Sequence, residues 1–507
     1  MKRAILLALA VCWSAIGVWA DEPVAVDATI GAGLQADNGL STKEHITSRV
    51  KSSLFDLDAA ITIANDGRYG ADIAYFRNAT TFGNNYILMD EGSTTVHLKP
   101  LDLQIGRVPQ NETYDSPYSL FLNSQGTTAF SSILTFQSPY FAYESRWILL
   151  NDKSNFGSPA HTPEAWRWAD GAAGTGQSFP DRGANLKTFL FRWGTTRLGL
   201  QEATVYTKRP FDPAFFFNPV PEYFTQYLGG TSGRPWTSLE NDNYMMGFFW
   251  DWREPDFSLG AQVLIDDFSF NFLGNALFPN NPWKAAWTLG GTWTNDLGTW
   301  GLYHAGALKY TFEPVTTLAG SESDTAYGNT YYPDVEFWAK DAFHPISVED
   351  NAIGYLHGEN NLALMATWSR DWPRNFRTNA RLEYLVAGTN SPANPWDDGT
   401  GSNQSDLGTH WLDEAVLEQS IVGTGQATWQ RGDWELVARV QLGVVFHVLE
   451  LSTPVSESTA SALDRFVKIY RPSDRTQAVA TLFVGATWHW DLAGLLATLP
   501  VPADQKL

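Results

Sequence analysis

The most regular hydrophobic pattern in the chain runs from Tyr244 to Phe268. Alternate residues from Tyr244 to Trp252 are large and apolar, and the alternation resumes from Phe257 to Ile265 after the turn-like sequence Arg-Glu-Pro-Asp. A period of two is typical of β-strands, because successive side chains point to opposite faces of a sheet. The segment therefore predicts a β-hairpin with strands of about ten residues each and one fully apolar face.

Similar hairpins recur along the chain, with tight turns at one end and long connections at the other. Eight hairpins are predicted, preceded by a strand from Ala28 to Gln35 and followed by one from Gln477 to Trp490. Strands of about 9–11 residues with an apolar outer face are long enough to cross a bilayer. The pattern therefore predicts an all-β fold, an antiparallel transmembrane β-barrel of about 18 strands. A soluble β-sandwich or propeller is the alternative.

Short turns are expected on the periplasmic side of such a barrel and long loops on the external side. In the first third of the chain, residues Gly39 to Ser53 are expected to be an external loop. A tight turn is predicted at Asn65–Arg68, with Tyr69 to Tyr75 as the returning strand. The next hairpin is expected to turn at Glu91–Thr94, between strands Tyr86–Asp90 and Val96–Gly106.

Aromatic residues gather beside the predicted short turns. Amphipathic indoles prefer the level of the lipid headgroups, and transmembrane barrels carry aromatic girdles there. We therefore expect a ring at the periplasmic rim formed by Trp193, Trp250, Trp252, Phe257, Trp293, Trp300, Trp368, Phe376, Trp429, Trp434, Trp488 and Trp490.

Polar residues alternate with the apolar face in several of the predicted strands. Charges of both signs at such positions would pair across a lumen, since an Arg or Lys facing lipid costs about 2–4 kcal/mol at the bilayer midplane. The predicted lumen-lining residues are Arg381, Glu383, Gln426, Glu435 and Arg439.

The first twenty residues have the features of a secretion signal. Lys2 and Arg3 precede an apolar run, and Val18-Trp19-Ala20 offers a cleavage site. A lipoprotein acylated at Cys12, the only cysteine, is the alternative. Residues 21–507 are expected to form a single barrel domain in the bacterial outer membrane. Its strands are expected to lie between about residues 28 and 490, with a short C-terminal tail.

The charge and the scattered histidines limit the chemistry. The formal net charge of −21 argues against a nucleic-acid partner, and cation binding in the acidic loops stays open. The nine histidines form no pair with metal-ligand spacing. We therefore expect no metal, no cofactor and no enzymatic activity, although a barrel hydrolase remains an alternative. Asp266 and Asp267 are adjacent, so they are expected to point to opposite faces.

Loop aromatics beside acids and amides suggest a carbohydrate site. Sugar rings present apolar C–H faces to aromatic rings, while carboxylates accept hydrogen bonds from hydroxyls. The alternative is that these aromatics pack the barrel mouth. The candidate glycan-binding residues are Trp166, Trp168, Tyr331, Tyr332, Trp338, Trp396 and Trp411.

Several motifs, in their order along the chain, resemble the capsule assembly Wzi family of outer-membrane proteins. The resemblance covers residues 101–310. The motifs are Leu101–Val108 followed by Ser119–Ser124, Arg197–Glu202 with Val205-Tyr206, Pro219–Tyr227 leading to Asn241–Met245, Leu264–Phe268, and Pro282–Ala285.

The resemblance implies an eighteen-stranded barrel and a lectin-like role in attaching polysaccharide to the cell surface. The leading hypothesis is therefore a non-catalytic barrel that binds surface polysaccharide through its external loops. Its expected partners are outer-membrane lipid and the glycan, and a monomer is expected. The rival hypothesis is a porin-like channel for small solutes.

Overall fold

A computed structural model gives the structure of most of the chain. It describes residues 25–35, 39–65, 79–82, 85–122, 128–151, 182–207, 209–224, 242–267, 283–312, 315–316, 354–389, 396–397, 409–451 and 470–491. The predicted signal sequence lies outside these residues.

The described residues are almost entirely β-strand. In chain order the elements are β1 (Ala25–Gln35), β2 (Gly39–Lys51), β3 (Phe55–Ala64), β4 (Ala79–Phe82), β5 (Asn85–Leu98), β6 (Leu101–Pro109), β7 (Thr128–Gln137), β8 (Phe141–Asn151), β9 (Arg182–Trp193), β10 (Thr196–Thr207), α1 (Pro213–Phe217), β11 (Asn243–Glu254), β12 (Phe257–Asp267), β13 (Lys284–Asn295), β14 (Gly298–Ala307), β15 (Val315–Thr316), β16 (Asn361–Trp372), β17 (Phe376–Ala387), β18 (Trp396–Asp397), β19 (Glu418–Arg431), β20 (Trp434–Phe446), β21 (Leu449–Leu451), β22 (Tyr470–Pro472) and β23 (Gln477–Asp491). Among the described helices, none is long and apolar enough to cross a membrane.

Eighteen of these strands close into an antiparallel barrel. Each pairs with its neighbours in the sequence, and β1 closes the ring by pairing with β23, where Asp27 lies opposite Asp491. The short strand β4 pairs with β5 beside the barrel, and β15–β18 and β21–β22 form two small separate pairs. The predicted fold class is confirmed.

The two ends of the barrel differ, as predicted. Turns of two or three residues join the strand pairs β2–β3, β5–β6, β7–β8, β9–β10, β11–β12, β13–β14, β16–β17 and β19–β20 at one end. At the other end the connections are long, except for residues 36–38 between β1 and β2. Barrels of this class have their short turns in the periplasm, so the long connections are external.

The outer wall is apolar and ends in an aromatic ring beside the short turns. Trp252 packs edge-on against Phe257 with centroids 5.5 Å apart, and Trp434 stacks on Trp488 at 6.1 Å. Exposed outer residues between these rings and the external rim include Leu289, Leu302, Leu442 and Val484. Trp490 lies outside the described side chains. An apolar band with an aromatic ring is the surface of an outer-membrane barrel.

Two predictions in the first third of the chain are wrong. Residues 39–51 form β2 and not an external loop. Residues 85–98 form one continuous strand, β5, so there is no turn at Glu91–Thr94, and the turn lies at Lys99-Pro100. The predicted turn after Asn65 and the returning strand Tyr69–Tyr75 lie outside the described residues. The shifted turn leaves the strand count unchanged, because residues 85–109 form two strands as predicted.

Candidate functional site: a partly filled lumen

The connection after β6 folds into the barrel. We call residues 110–122 the plug segment. The Glu112 carboxylate makes the main contacts within this segment. It accepts hydrogen bonds from the backbone N–H groups of Phe121 and Leu122 at 3.1 Å each. It also accepts from the amides of Gln201, at 2.9 Å, and Gln262. One carboxylate thus joins both ends of the plug segment to strands β10 and β12.

The Glu112 side chain is partly buried between the plug segment and the wall. Burial raises its pKa from 4.5 to about 7, although the four N–H donors favour the ionised form and oppose that rise. The protonation state of this residue therefore changes near neutral pH.

The plug segment has further polar anchors on the inner wall. The Gln110 side-chain oxygen accepts from Arg146 on β8 at 3.0 Å. The Leu120 N–H donates to the side-chain oxygen of Gln262 at 3.0 Å. These anchors lie on β8 and β12, so the segment extends along the inner wall over five neighbouring strands.

The connection between β14 and β16 also enters the barrel, and its residues 354–360 pack on the plug segment. The N–H of Gly354 donates to the carbonyl of Phe121 at 3.1 Å, and the Tyr355 ring meets the Tyr118 ring edge-on at 6.0 Å. Together with inward residues of the wall, the two segments form one buried apolar cluster, which includes Tyr118, Leu120, Phe121, Leu122, Leu186, Met245, Leu264, Phe312, Tyr355, Leu356 and Met365. The external half of the lumen is therefore filled along strands β7 to β16.

The plug segment reaches β17 through a charged cluster. The Tyr118 hydroxyl donates to Glu383 at 2.6 Å, and the His357 ring nitrogen lies 2.8 Å from the same carboxylate oxygen. Arg381 donates to the other oxygen of Glu383. Glu383 thus links the two inserted segments to the barrel wall.

The wall beyond this cluster is exposed to solvent. The Arg381 side chain is 41% exposed, and Arg439 on β20 is exposed while it donates to Gln426 at 2.8 Å. The lumen is therefore divided, with one side packed by the inserted segments and the other lined by accessible polar groups.

A luminal cavity of about 560 Å³ lies along this accessible side, between the plug segment and the short turns. Its polar lining consists of Thr292, Thr299, Thr367, Ser369, Asn379, Arg381, Thr424, Gln426, Arg439 and Gln441. Hydroxyls and amides can both donate and accept hydrogen bonds, while guanidinium groups only donate. The lining therefore suits a ligand rich in oxygen atoms.

Tyr303 adds an aromatic surface to the cavity. It lies opposite Gly290 on β13 and two residues from Gly301 on its own strand. A Cβ added at Gly290 would come within 2.3 Å of the Tyr303 ring, and one at Gly301 within 2.8 Å. The two glycines therefore leave room for the half-buried ring to lie flat on the wall, where it lines the cavity.

The residues predicted to line the lumen all occupy inward positions in the strand register. Arg381 lies opposite Thr424, and Gln426 lies between Asn379 and Arg439. Glu383 holds the inserted segments, whereas Arg381, Gln426 and Arg439 line the cavity. Glu435 follows the same inward register near the periplasmic turn.

Among the predicted glycan-binding residues, only Trp411 has a described side chain. Its indole N–H donates to the carbonyl of Asn361 at 3.1 Å, and its ring packs edge-on against Trp287 at 5.3 Å. Trp287 has the outward register of β13, so Trp411 lies over the outer wall near the external rim. The side chains of Trp166, Trp168, Tyr331, Tyr332, Trp338 and Trp396 lie outside the described residues.

Sequence reasoning missed Glu112, Tyr118, Gln262 and Tyr303. The first two lie in a connection without periodicity, so nothing local indicated that it enters the barrel. Tyr303 did carry a signal, because glycines at 290 and 301 inside strands indicate a close approach of another group.

Several of the described histidines pair with carboxylates, whereas His304 and His447 contact backbone carbonyls. His97 lies 2.8 Å from Asp102 and His410 lies 2.6 Å from Asp413, in addition to the His357–Glu383 contact. No group of three or more His, Cys, Asp or Glu residues in the described part of the chain could hold a metal ion. The expectation of a non-enzymatic barrel stays a prediction.

Comparisons with known proteins give similar folds. No protein-family model matches the chain, and no curated protein matches it. The solved structure of Wzi, an Escherichia coli outer-membrane protein involved in group 1 capsule assembly and a carbohydrate-binding barrel, is 10% identical. The match covers 94% of this chain and 86% of that one, with a TM-score of 0.48. OprD of Pseudomonas aeruginosa is 9% identical, covering 92% and 95%, with a TM-score of 0.43. OccD3 of the same organism is 8% identical, covering 94% and 92%, with a TM-score of 0.42.

Proposed function

We propose that this outer-membrane barrel binds a hydroxyl-rich, acidic glycan without catalysis, and that the luminal cavity is the binding site. The observation that carries the proposal is the lining of that cavity. A flat aromatic ring, Tyr303, stands beside hydroxyls, amides and two guanidinium groups, Arg381 and Arg439. Small-ligand sites combine an apolar contact surface with a few convergent polar groups in this way.

Each part of the lining has a role in this proposal. The Tyr303 ring contacts the apolar C–H face of a sugar ring. Thr424, Gln426 and Gln441 exchange hydrogen bonds with sugar hydroxyls. Arg381 and Arg439 bind the carboxylates of an acidic sugar, since charge-assisted hydrogen bonds are the stronger ones.

The proposed role is of the kind implied by the capsule assembly Wzi family, which residues 101–310 resemble. It differs from the sequence-based hypothesis in where the glycan binds, because the cavity lies inside the barrel and on the periplasmic side of the plug segment. The external aromatics could hold a further part of a long polysaccharide, and that part of the hypothesis stays a prediction.

The test measures equilibrium binding of acidic and neutral oligosaccharides to the purified protein in detergent. Tyr303→Ala should weaken binding about tenfold, which corresponds to about 1.4 kcal/mol, whereas Tyr303→Phe should retain most of it. Tyr384→Ala is the matched control, since Tyr384 has the outward register of β17. Equal affinity of the Tyr303→Ala variant and the native protein would reject the site.

A channel for small polar solutes is the second candidate. The accessible side of the lumen favours it, since Arg381 and Arg439 remain exposed at the level where the inserted segments pack on the opposite wall. A pore lined by such groups selects solutes by charge and hydrogen bonding. Planar-bilayer recordings distinguish the two functions, because a steady open conductance without oligosaccharide binding would favour the channel.

A further inference from the structure

Part of a predicted external loop lies against the outer wall of the barrel. Residues 209–224, which follow β10 and include α1, form a segment that we call the outer flap. The Ser145 hydroxyl on β8 donates to the carbonyl of Phe216 at 2.7 Å, and the Trp147 indole donates to the carbonyl of Pro210 at the same distance. Ser145 and Trp147 have the outward register of their strand, as do Lys187 and Asn185 opposite them on β9.

The outer flap covers a polar patch on this wall. The side chains of Lys187, Glu202 and Thr204 have outward registers on β9 and β10, yet all three residues are buried. The Lys187 ammonium donates to the carbonyl of Val220 at 3.0 Å, and it lies 3.9 Å from the carboxylate of Glu222.

Glu222 is the acidic residue of the described flap that enters the patch. With Lys187, Glu202 and Thr204 it forms a buried group that we call the sealed cluster. The Glu222 carboxylate accepts from the Thr204 hydroxyl at 2.6 Å, and its backbone N–H donates to Glu202 at 3.0 Å. The charged side chains Lys187, Glu202 and Glu222 therefore have partners inside the protein.

The height of the patch places it within the lipid-facing band. Lys187 precedes the ring residue Trp193 by six positions on β9. With a rise of about 3.3 Å per residue and a tilt of about 40°, Lys187 lies roughly 15 Å above the aromatic ring. The apolar band of such a barrel is about 25 Å tall, so bare charges at this height would face hydrocarbon.

The side of the outer flap that faces away from the barrel is apolar. Phe217, Val220, Tyr223 and Phe224 are exposed there. This surface continues the apolar wall, because the Tyr223 ring contacts the Tyr244 ring on β11 with centroids 5.7 Å apart. Exposed aromatics of this size in one patch indicate an apolar partner.

We infer that the outer flap is embedded in the outer leaflet and that its exposed face contacts lipid acyl chains. Lys187 and Glu202 are polar residues in the outer face of the wall. The flap covers them and presents its own apolar face to the lipid at this position. This inference does not depend on the proposed glycan site, since the flap and the cavity lie on opposite sides of the barrel wall.

Site-directed spin labelling tests the inference on the full chain in lipid vesicles. Cys12 is the only native cysteine and lies in the predicted signal sequence, so Phe217→Cys and Val220→Cys each give one labelling site in the mature protein. Two controls define the scale, Leu289→Cys on the lipid-facing wall and Asp256→Cys in a periplasmic turn. The measured quantity is the ratio of label accessibility to oxygen, which enters lipid, over a nickel chelate, which stays in water.

The expected result is a ratio for both flap positions that is closer to that of Leu289→Cys than to that of Asp256→Cys. Ratios closer to that of Asp256→Cys would overturn the inference and would mean that the flap lies in water above the membrane. Phe217 and Val220 are exposed, so a label at either position leaves the sealed cluster intact.

Discussion

At the scale of single residues, Glu112 has the most consequential environment in the lumen. The same carboxylate holds Phe121 and Leu122 at one end of the plug segment and Gln201 and Gln262 on the wall. A buried carboxyl with a raised pKa binds its proton more tightly in the docked segment than in a released one. Docking is therefore linked to pH.

The direction of this linkage follows from the two pKa values. Docking is most favourable below about pH 4.5 and weakens as the pH rises through about 7, where docked Glu112 loses its proton. Hydrogen exchange of the Phe121 and Leu122 amides, corrected for the intrinsic rate, should show less protection at pH 8 than at pH 5. The change in docking equilibrium should reach at most about two orders of magnitude.

Replacing the titrating group provides the control for this prediction. Glu112→Gln should remove the pH dependence of the corrected protection, whatever its absolute level. Protection that does not change with pH in the native protein would contradict the assignment of Glu112 as the titrating group.

At the scale of elements, the plug segment is an irregular connection that gains its order from contacts with the wall. Gln262 is its main polar partner on β12, because its side chain binds Glu112, Leu120 and Gln201 at once. A hydrogen bond of this kind contributes about 1 kcal/mol. Loss of this side chain should therefore favour a released plug segment.

The corresponding prediction concerns conductance. Gln262→Ala should raise the open fraction in planar bilayers by at least about fivefold relative to the native protein, since about 1 kcal/mol is lost for each hydrogen bond removed. Gln441→Ala is the matched control, since Gln441 is a luminal glutamine on β20 that lines the cavity. Equal open fractions for Gln262→Ala and Gln441→Ala would show that this contact does not restrain the plug segment.

The two wrongly predicted strands show where periodicity fails. β2 carries Ser41, Lys43 and His45 on its inward face, but Glu44 and Ser48 on the outward one, so the alternation of polar and apolar residues is lost. β5 contains a bulge near Asp90, where Ala60 lies opposite Glu91 and Ile61 opposite Met89. The extra residue exchanges the two faces, and the break in pattern resembled a turn.

At the scale of the whole molecule, the barrel separates a lipid-facing surface from a luminal one along every strand. Leu482 and Thr481 are neighbours on β23 and illustrate this division. Leu482 is exposed on the outer wall, whereas the Thr481 hydroxyl lies 3.4 Å from Gln441 in the lumen. The two positions provide a direct test of which face meets the membrane.

Arginine should have very different effects at these two positions. Leu482→Arg should lower the free energy of unfolding from lipid vesicles by about 2–4 kcal/mol, because the position lies near the middle of the band. Thr481→Arg faces water and should cost less than about 1 kcal/mol. Urea unfolding of both variants measures the difference, and similar losses would contradict the lipid-facing assignment of the wall.

The sequence by itself determined the barrel, its antiparallel order, its aromatic ring and the inward position of residues such as Arg381 and Arg439. These features follow from the alternation of apolar and polar residues along single strands. That alternation arises because successive residues of a strand face lipid and lumen in turn. Only the tertiary structure decided that the plug segment enters the lumen, that the outer flap covers Lys187, and that Tyr303 lies flat over two glycines. Each of these depends on contacts between residues distant in the chain, and such contacts leave no periodic trace in the sequence.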